Sequence, residues 1–194
     1  MLVFASTSSL HAQSPYPEHS VKSAFIYRMA SYIDWPPEAL NTAQFTFTVL
    51  GADEIAVELQ QLVSNYTVKD LPVRVQRATS LKELAEAQVV FVGSRYEGSL
   101  LRLEEKLGNR PVLRITDQPN GLEQGSMINF ISVDRRVRFE VSVTAAERAG
   151  LTVGSELLAV AARVRGAGEA RESCEASAPC ANHKPRAEGQ NVRR

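Results

Sequence analysis

Along Val137–Val143 apolar and polar positions alternate, with Val137, Phe139, Val141 and Val143 set against Arg138, Glu140 and Ser142. Period two of this kind predicts a strand with one dry face and one wet face, Phe139 and Val141 pointing inward. The run Met127–Val133 stands just before it, separated by Asp134-Arg135-Arg136, and so short a polar link predicts an antiparallel hairpin. Val112–Thr116 is a β-branched run, followed by the turn-forming stretch Asp117-Gln118-Pro119-Asn120-Gly121 and by Gly125. Upstream the period changes to that of a helix: Val21, Phe25, Met29 and Tyr32 recur within Glu18–Ile33, and Asp34-Trp35-Pro36-Pro37 ends the run. Trp35 reads as a plug closing this helix against the sheet, in preference to a ligand platform.

The remaining pattern alternates strand and helix. Phe45–Gly51 predicts a strand, with Asp53 a candidate N-cap of a helix to about Ser64. Pro72–Val75 is a fainter strand, and Leu81–Ala87 a short helix begun at Thr79 or Ser80. Gln88–Gly93 is a continuous apolar run of the kind covered on both faces. Ser94 opens a helix carrying Leu100, Leu101, Leu103 and Leu107, closed by Gly108. After the hairpin come helices over Thr144–Ala149 and Glu156–Arg165. This order predicts an α/β domain of three layers: a mixed sheet, parallel strands first and the antiparallel hairpin last, flanked by helices.

With 194 residues the chain can build one well-buried core, and 22 basic side chains balance 22 acidic ones, which argues against a nucleic-acid binder. No run reaches the ~20 apolar residues of a membrane span, so direct membrane insertion is not expected. Residues 1–14 read as a secretory signal remnant rather than a loose cytosolic N-terminus. The domain is expected over residues 15–166. Residues 167–194, rich in Gly, Ala and charge, read as a disordered tail. That tail holds both cysteines, Cys174 and Cys180, whose spacing alone makes no zinc site.

The three histidines (His11, His19, His183) lie towards the ends, so the core lacks the commonest general base and metal ligand. No G-x-S-x-G elbow and no G-x-G-x-x-G loop is present, and Asp53 stands where a phosphate would need a helix N-terminus. No catalytic residue, metal site or cofactor is therefore expected. Ser94 and Arg95, in the turn after Gly93, offer amides, a hydroxyl and a guanidinium to an anion; a capped helix with a solvated Arg explains them as well. Asp117 and Asn120 lie beyond the carboxyl end of a parallel strand, where such sheets bind ligands, and turn formation accounts for them equally. Arg135, Arg136 and Arg138 read as charges keeping an edge soluble. Leu151, Val153, Leu157, Leu158 and Val160 exceed what one short helix hides against a sheet. Either the helix is buried on most sides, or Leu151, Val153, Val160 and Val164 contribute to an apolar surface for a partner or a second copy.

Several of these stretches, taken in order, resemble the YfiR-like family of bacterial periplasmic proteins. They are Val21–Tyr27, Trp35-Pro36, Val49-Leu50-Gly51, Val89–Gly93, Pro111-Val112-Leu113, Gly125–Phe130, Val137–Val141, Ala145-Ala146, Ala149–Leu151 and Ser155–Leu158. The resemblance implies a non-enzymatic, homodimeric periplasmic protein that restrains an inner-membrane diguanylate cyclase by engaging its periplasmic sensor domain, limiting cyclic-di-GMP synthesis and biofilm formation. Family members often carry a cysteine just before the third strand. Ala87 stands there in this chain, which removes the basis for a disulfide at that point. The competing reading is a periplasmic small-ligand sensor built on Ser94, Arg95 and the loop from Asp117 to Gly125.

Overall fold

The computed structural model describes residues 16–84, 86–96 and 100–166. The readings of residues 1–14 as a leader and of 167–194 as a tail lie outside them. In chain order the helices are α1 (Glu18–Ser31), α2 (Asp53–Leu62), α3 (Leu100–Leu107), α4 (Val143–Arg148) and α5 (Ser155–Val160). The strands are β1 (Ile33–Asp34), β2 (Phe45–Leu50), β3 (Thr67–Val68), β4 (Leu71–Ala78), β5 (Val89–Val92), β6 (Leu113–Thr116), β7 (Ile128–Val133), β8 (Arg136–Ser142), β9 (Thr152–Val153) and β10 (Arg163–Arg165). Single 3₁₀ turns occupy Pro37–Leu40 and Leu81–Glu83.

Eight strands form one sheet in the order β10-β8-β7-β6-β5-β2-β4-β3, while β1 and β9 pair separately. From β4 to β7 the pairing is parallel; β7–β8 is the antiparallel hairpin, with Phe130 opposite Phe139. The three-layer mixed architecture follows from period two in the central strands. Phe45, Phe47 and Val49 of β2 and Val89 and Phe91 of β5 enter the larger core with Ile26 and Met29 of α1 and Ile55 and Leu59 of α2. Leu50, Val90 and Val92 point the other way, into a smaller core with Leu100, Leu103 and Leu107 of α3. Phe139 and Val141 are buried as expected. Trp35 is buried edge-on against Phe45, ring centroids 5.2 Å apart, as a plug requires.

Two hairpins turn on residues with positive φ. Lys69 (φ 50°) and Asp70 (φ 65°) join β3 to β4, and Asp134 (φ 51°) and Arg135 (φ 60°) join β7 to β8. Consecutive left-handed residues give the turn twist that suits a tight hairpin.

The structure departs from the sequence pattern at several points. Asp53 is the first residue of α2 and Ala52 holds the cap position, and the fainter strand expected over Pro72–Val75 extends over Leu71–Ala78 because it pairs with β2 as far as Ala78. The expected helix Glu156–Arg165 stops at Val160, and Ala161 turns extended (φ −67°, ψ 141°). The chain then runs as β10, parallel to β8, with the Ala162 amide donating to the Phe139 carbonyl at 2.8 Å. Without β10 the long strand β8 would present an open edge, and covering that edge outweighs the five further residues of helix, Ala161–Arg165. Glu140, expected on the wet face, is buried because β10 flanks it; its carboxylate accepts from the Asn129 side chain at 3.0 Å and lies 3.5 Å from Arg163. Ser94 and Arg95 form a turn rather than opening a helix, and the first described residue of α3 is Leu100. Finally, Leu81–Ala87 shortens to one 3₁₀ turn, capped by Ser80 and Glu83 as a capping box.

Candidate functional sites

The chain passes from β2 to β4 on one side, then returns across β2 to place β5 on the other. The crevice beyond the carboxyl ends of β2 and β5 is thus the sheet's switch point, where α/β folds usually bind ligands. Here the two turns press together. Gly51 has φ +70°, and a Cβ on it would stand 2.6 Å from that of Tyr96; one on Gly93 would lie 2.5 Å from the Gly51 carbonyl oxygen. Only glycine permits both approaches.

Asp117, at the end of β6, reaches into this crevice. Its carboxylate accepts from the Ser94 backbone amide at 2.6 Å and from the Lys22 ammonium at 2.6 Å. The structure therefore brings Ser94 and Asp117 together, and adds a partner the sequence reading missed. Lys22 also meets Glu18, one turn earlier on α1, at 2.6 Å. The side chains of Lys22 and Asp117 are only 11% and 12% exposed. Burial pulls the Lys22 pKa down, but hydrogen bonds to Asp117 and Glu18, with their negative charge, outweigh it and hold the pKa above its ordinary value. Arg95 stands exposed, 3.4 Å from Glu54. Asn120 stands apart from the crevice: it has φ 56°, and its backbone carbonyl accepts from the amides of Glu123 and Gln124, which is a turn role. The space left beside Lys22 and Asp117 is about 190 Å³. That is below the ~300 Å³ at which small-molecule sites begin.

A second region lies on another face of the same helix. Val21, Phe25 and Met29 of α1, Tyr32 just after it, and Leu157 and Val160 of α5 line a groove of about 560 Å³ together with Phe139. Phe25 packs on Phe139 and Phe130 with centroids at 5.7 and 6.2 Å, so its wall is fixed by aromatic contacts. Arg28 and Glu156 also line the groove, the only charged side chains that do so among the described residues. Of the four residues expected to form an apolar surface, Val160 lines this groove and is 59% exposed. Val164 is exposed on β10, away from α5. Val153 is half-buried, paired with Ile33 in the small β1–β9 sheet. Leu151 is 1% exposed within the larger core, so it contributes nothing to a surface. Sequence reasoning missed Phe25 and Tyr32 as groove residues, because helical periodicity marks them as apolar without saying what faces them.

The α/β domain thus carries an apolar groove on one face of α1 and, on another, a crevice whose charged side chains pair within the chain. Residues 19–162 match the YfiR/HmsC-like family, and the chain belongs to that family. The family is regulatory rather than catalytic, periplasmic, and associated with control of a diguanylate cyclase. No curated protein matches the chain. Among the described residues no helix is long and apolar enough to cross a membrane. No group of three or more His, Cys, Asp or Glu among them could hold a metal ion.

Proposed function

We propose that this protein is a periplasmic regulator that binds the sensor domain of an inner-membrane diguanylate cyclase and holds it in its low-output state, limiting cyclic-di-GMP synthesis. The observation that carries the reading is the open apolar groove between α1 and α5, with Val160 at its rim. The mechanism takes no cofactor and no catalytic group. Inhibition by occupancy needs the groove to favour one conformation of the partner, since equal affinity for both shifts nothing. Moving a partner from 1:99 to 99:1 requires about 5.5 kcal/mol of differential affinity. Two or three apolar anchors seated only in the inhibited state, each contributing ~1.5–3 kcal/mol, reach that scale.

The test uses Val160→Asp, with Val164→Asp on β10 as control. Both should fold with melting temperatures near wild type, because both side chains are exposed. Val160→Asp should lose capture of the solubilised sensor domain and raise cellular cyclic-di-GMP; Val164→Asp should do neither. Val160→Asp that still captures and inhibits would sink the reading. If Val160→Asp abolishes a homodimer in sedimentation but leaves capture intact, the occupant of the groove is a second copy of this chain.

A further inference from the structure

The β7–β8 hairpin runs on past the strands that flank it. β6 pairs with β7 only at Ile128 and Asn129, and β10 pairs with β8 only over Glu140–Ser142. Phe130–Val133 and Arg136–Phe139 therefore pair as strands with each other alone, and the ribbon projects roughly 13 Å past its neighbours. Directly opposite residues share a face, as do alternate residues along each strand. Phe130 and Phe139 face the larger core. The other face thus carries Ile131 beside Arg138 and Val133 beside Arg136, with Asn129 and Glu140 nearer the sheet. Arg135 stands in the turn between the strands. The Cα atoms of Arg136 and Arg138 lie about 7 Å apart along the strand, and each is about 5 Å from that of its aliphatic partner.

The charges on this side of the sheet fall into two sets. Arg163 and Arg165 of β10 meet Glu140 at 3.5 Å and Glu123 at 3.0 Å. Arg135, Arg136 and Arg138 are exposed and form no ion pair among the described residues, and the carboxylate of Asp134 in the same turn is set against three guanidiniums. Charge that served only to keep an edge soluble would need no apolar company. Here Val133, beside Arg136, is 42% exposed, and Ile131, beside Arg138, is half-buried. These residues line neither the groove nor the crevice, and a two-stranded ribbon offers a flat face in place of a pocket. Guanidinium groups take phosphate bidentately, which the ammonium of a lysine does not. Arginines with exposed aliphatic side chains among them fit a surface whose anionic layer lies directly over an apolar one. A bilayer of anionic phospholipid has that layering.

We propose that the tip of the β7–β8 hairpin seats this protein on an anionic phospholipid bilayer, Arg135, Arg136 and Arg138 holding lipid phosphates while Val133 enters the headgroup layer. This is surface attachment and needs no spanning helix. It uses no residue of the groove, so it stands or falls separately from the function proposed above. The test is sedimentation of the full chain with vesicles of phosphatidylcholine alone or mixed equally with phosphatidylglycerol. Binding to the mixed vesicles only is expected, weakening as salt is raised. Each arginine near such a surface contributes about fivefold, so Arg136→Gln with Arg138→Gln should weaken binding at least tenfold, and Val133→Ser by a smaller factor. Arg74→Gln with Arg77→Gln, an equal loss of exposed charge on β4, should leave binding unchanged, as should Val160→Asp. All these side chains are exposed, and unchanged melting curves would establish that the variants fold. Absence of binding to the mixed vesicles, equal binding to phosphatidylcholine alone, or equal weakening by the β4 pair would each overturn the proposal. Wild type that ignores vesicles, with the hairpin variant losing capture of the solubilised sensor domain, would assign this face to an acidic protein surface instead.

Discussion

The crevice and the groove are served by one helix. Neighbouring residues of α1 face them: Lys22 turns towards Asp117, while Val21 and Phe25 turn towards α5. In the crevice every charge is met from within the chain, so no external anion is needed to offset it. Along the groove the apolar side chains pack on one another and stop short of covering themselves. Position in the fold would nominate the crevice as the binding site; satisfaction of the groups present nominates the groove. The difference teaches that a switch point becomes a ligand site only where its polar groups are left unmatched.

The comparison can be broken most severely from the groove side. Phe139→Ala removes a ring that lines the groove and is buried among Phe25, Phe130 and the larger core. It should destabilise by about 3–5 kcal/mol in urea denaturation and abolish partner capture in whatever fraction stays folded. Loss of capture with stability unchanged would mean that Phe139 serves the partner more than the core.

Lys22→Met attacks the crevice and should cost about 3 kcal/mol. That is the lower end for removing one member of a buried ion pair, because both side chains keep slight exposure. Asp117→Asn should cost less, since its side-chain oxygen still accepts from the Ser94 amide. A Lys22→Met protein as stable as wild type would show that the pair contributes specificity and no net stability.

How far these regions were readable in the sequence depends on their size and on what faces them. β8 shows itself by period two and α1 by period 3.6, while β2, β5, β6 and β7 show as apolar or β-branched runs bounded by polar and turn-forming residues. β1, β9 and β10 have two or three residues each, too few for any period, and exist because they close an edge or clasp two segments. Val160 was legible as an apolar surplus on a short helix. Leu151, in the same surplus, is core, because the chain turns inward after Ala149 before α5 begins. The role of Asp117 was half legible: its place beyond a parallel strand was predictable, and its partner, 95 residues earlier on α1, was not.

The pH dependence sharpens the comparison further. The folded pKa of Lys22 lies above that of the unfolded chain, so its contribution is complete below about pH 10.4 and is lost as pH rises through the higher folded value. Wild type should therefore lose stability faster than Lys22→Met above that pH, and parallel curves would remove the charge pair from the account. The smallest effect is at an exposed control distant from both regions. Hydrogen bonds from Ser80 and Thr79 hold the Glu83 carboxyl below its ordinary pKa, so its contribution is present above about pH 4.3 and lost as pH falls through the lower folded value. Glu83→Gln should lower the melting temperature slightly at neutral pH, with the difference vanishing in acid.

The short pairing of β1 with β9 acts as a latch. It rests on two residue pairs, Ile33 with Val153 and Asp34 with Thr152, and the Gly154 amide continues it by donating to the Tyr32 carbonyl at 2.8 Å. Those contacts join the end of α1 to the beginning of α5, the two walls of the groove. A region held by so few backbone hydrogen bonds opens locally at far lower free energy than the eight-stranded sheet beside it. The amides of Val153 and Gly154 should consequently exchange with solvent deuterium well before those of β2 and β5. A partner wedged between α1 and α5 can widen its own berth by undoing this latch while the rest of the domain stays intact.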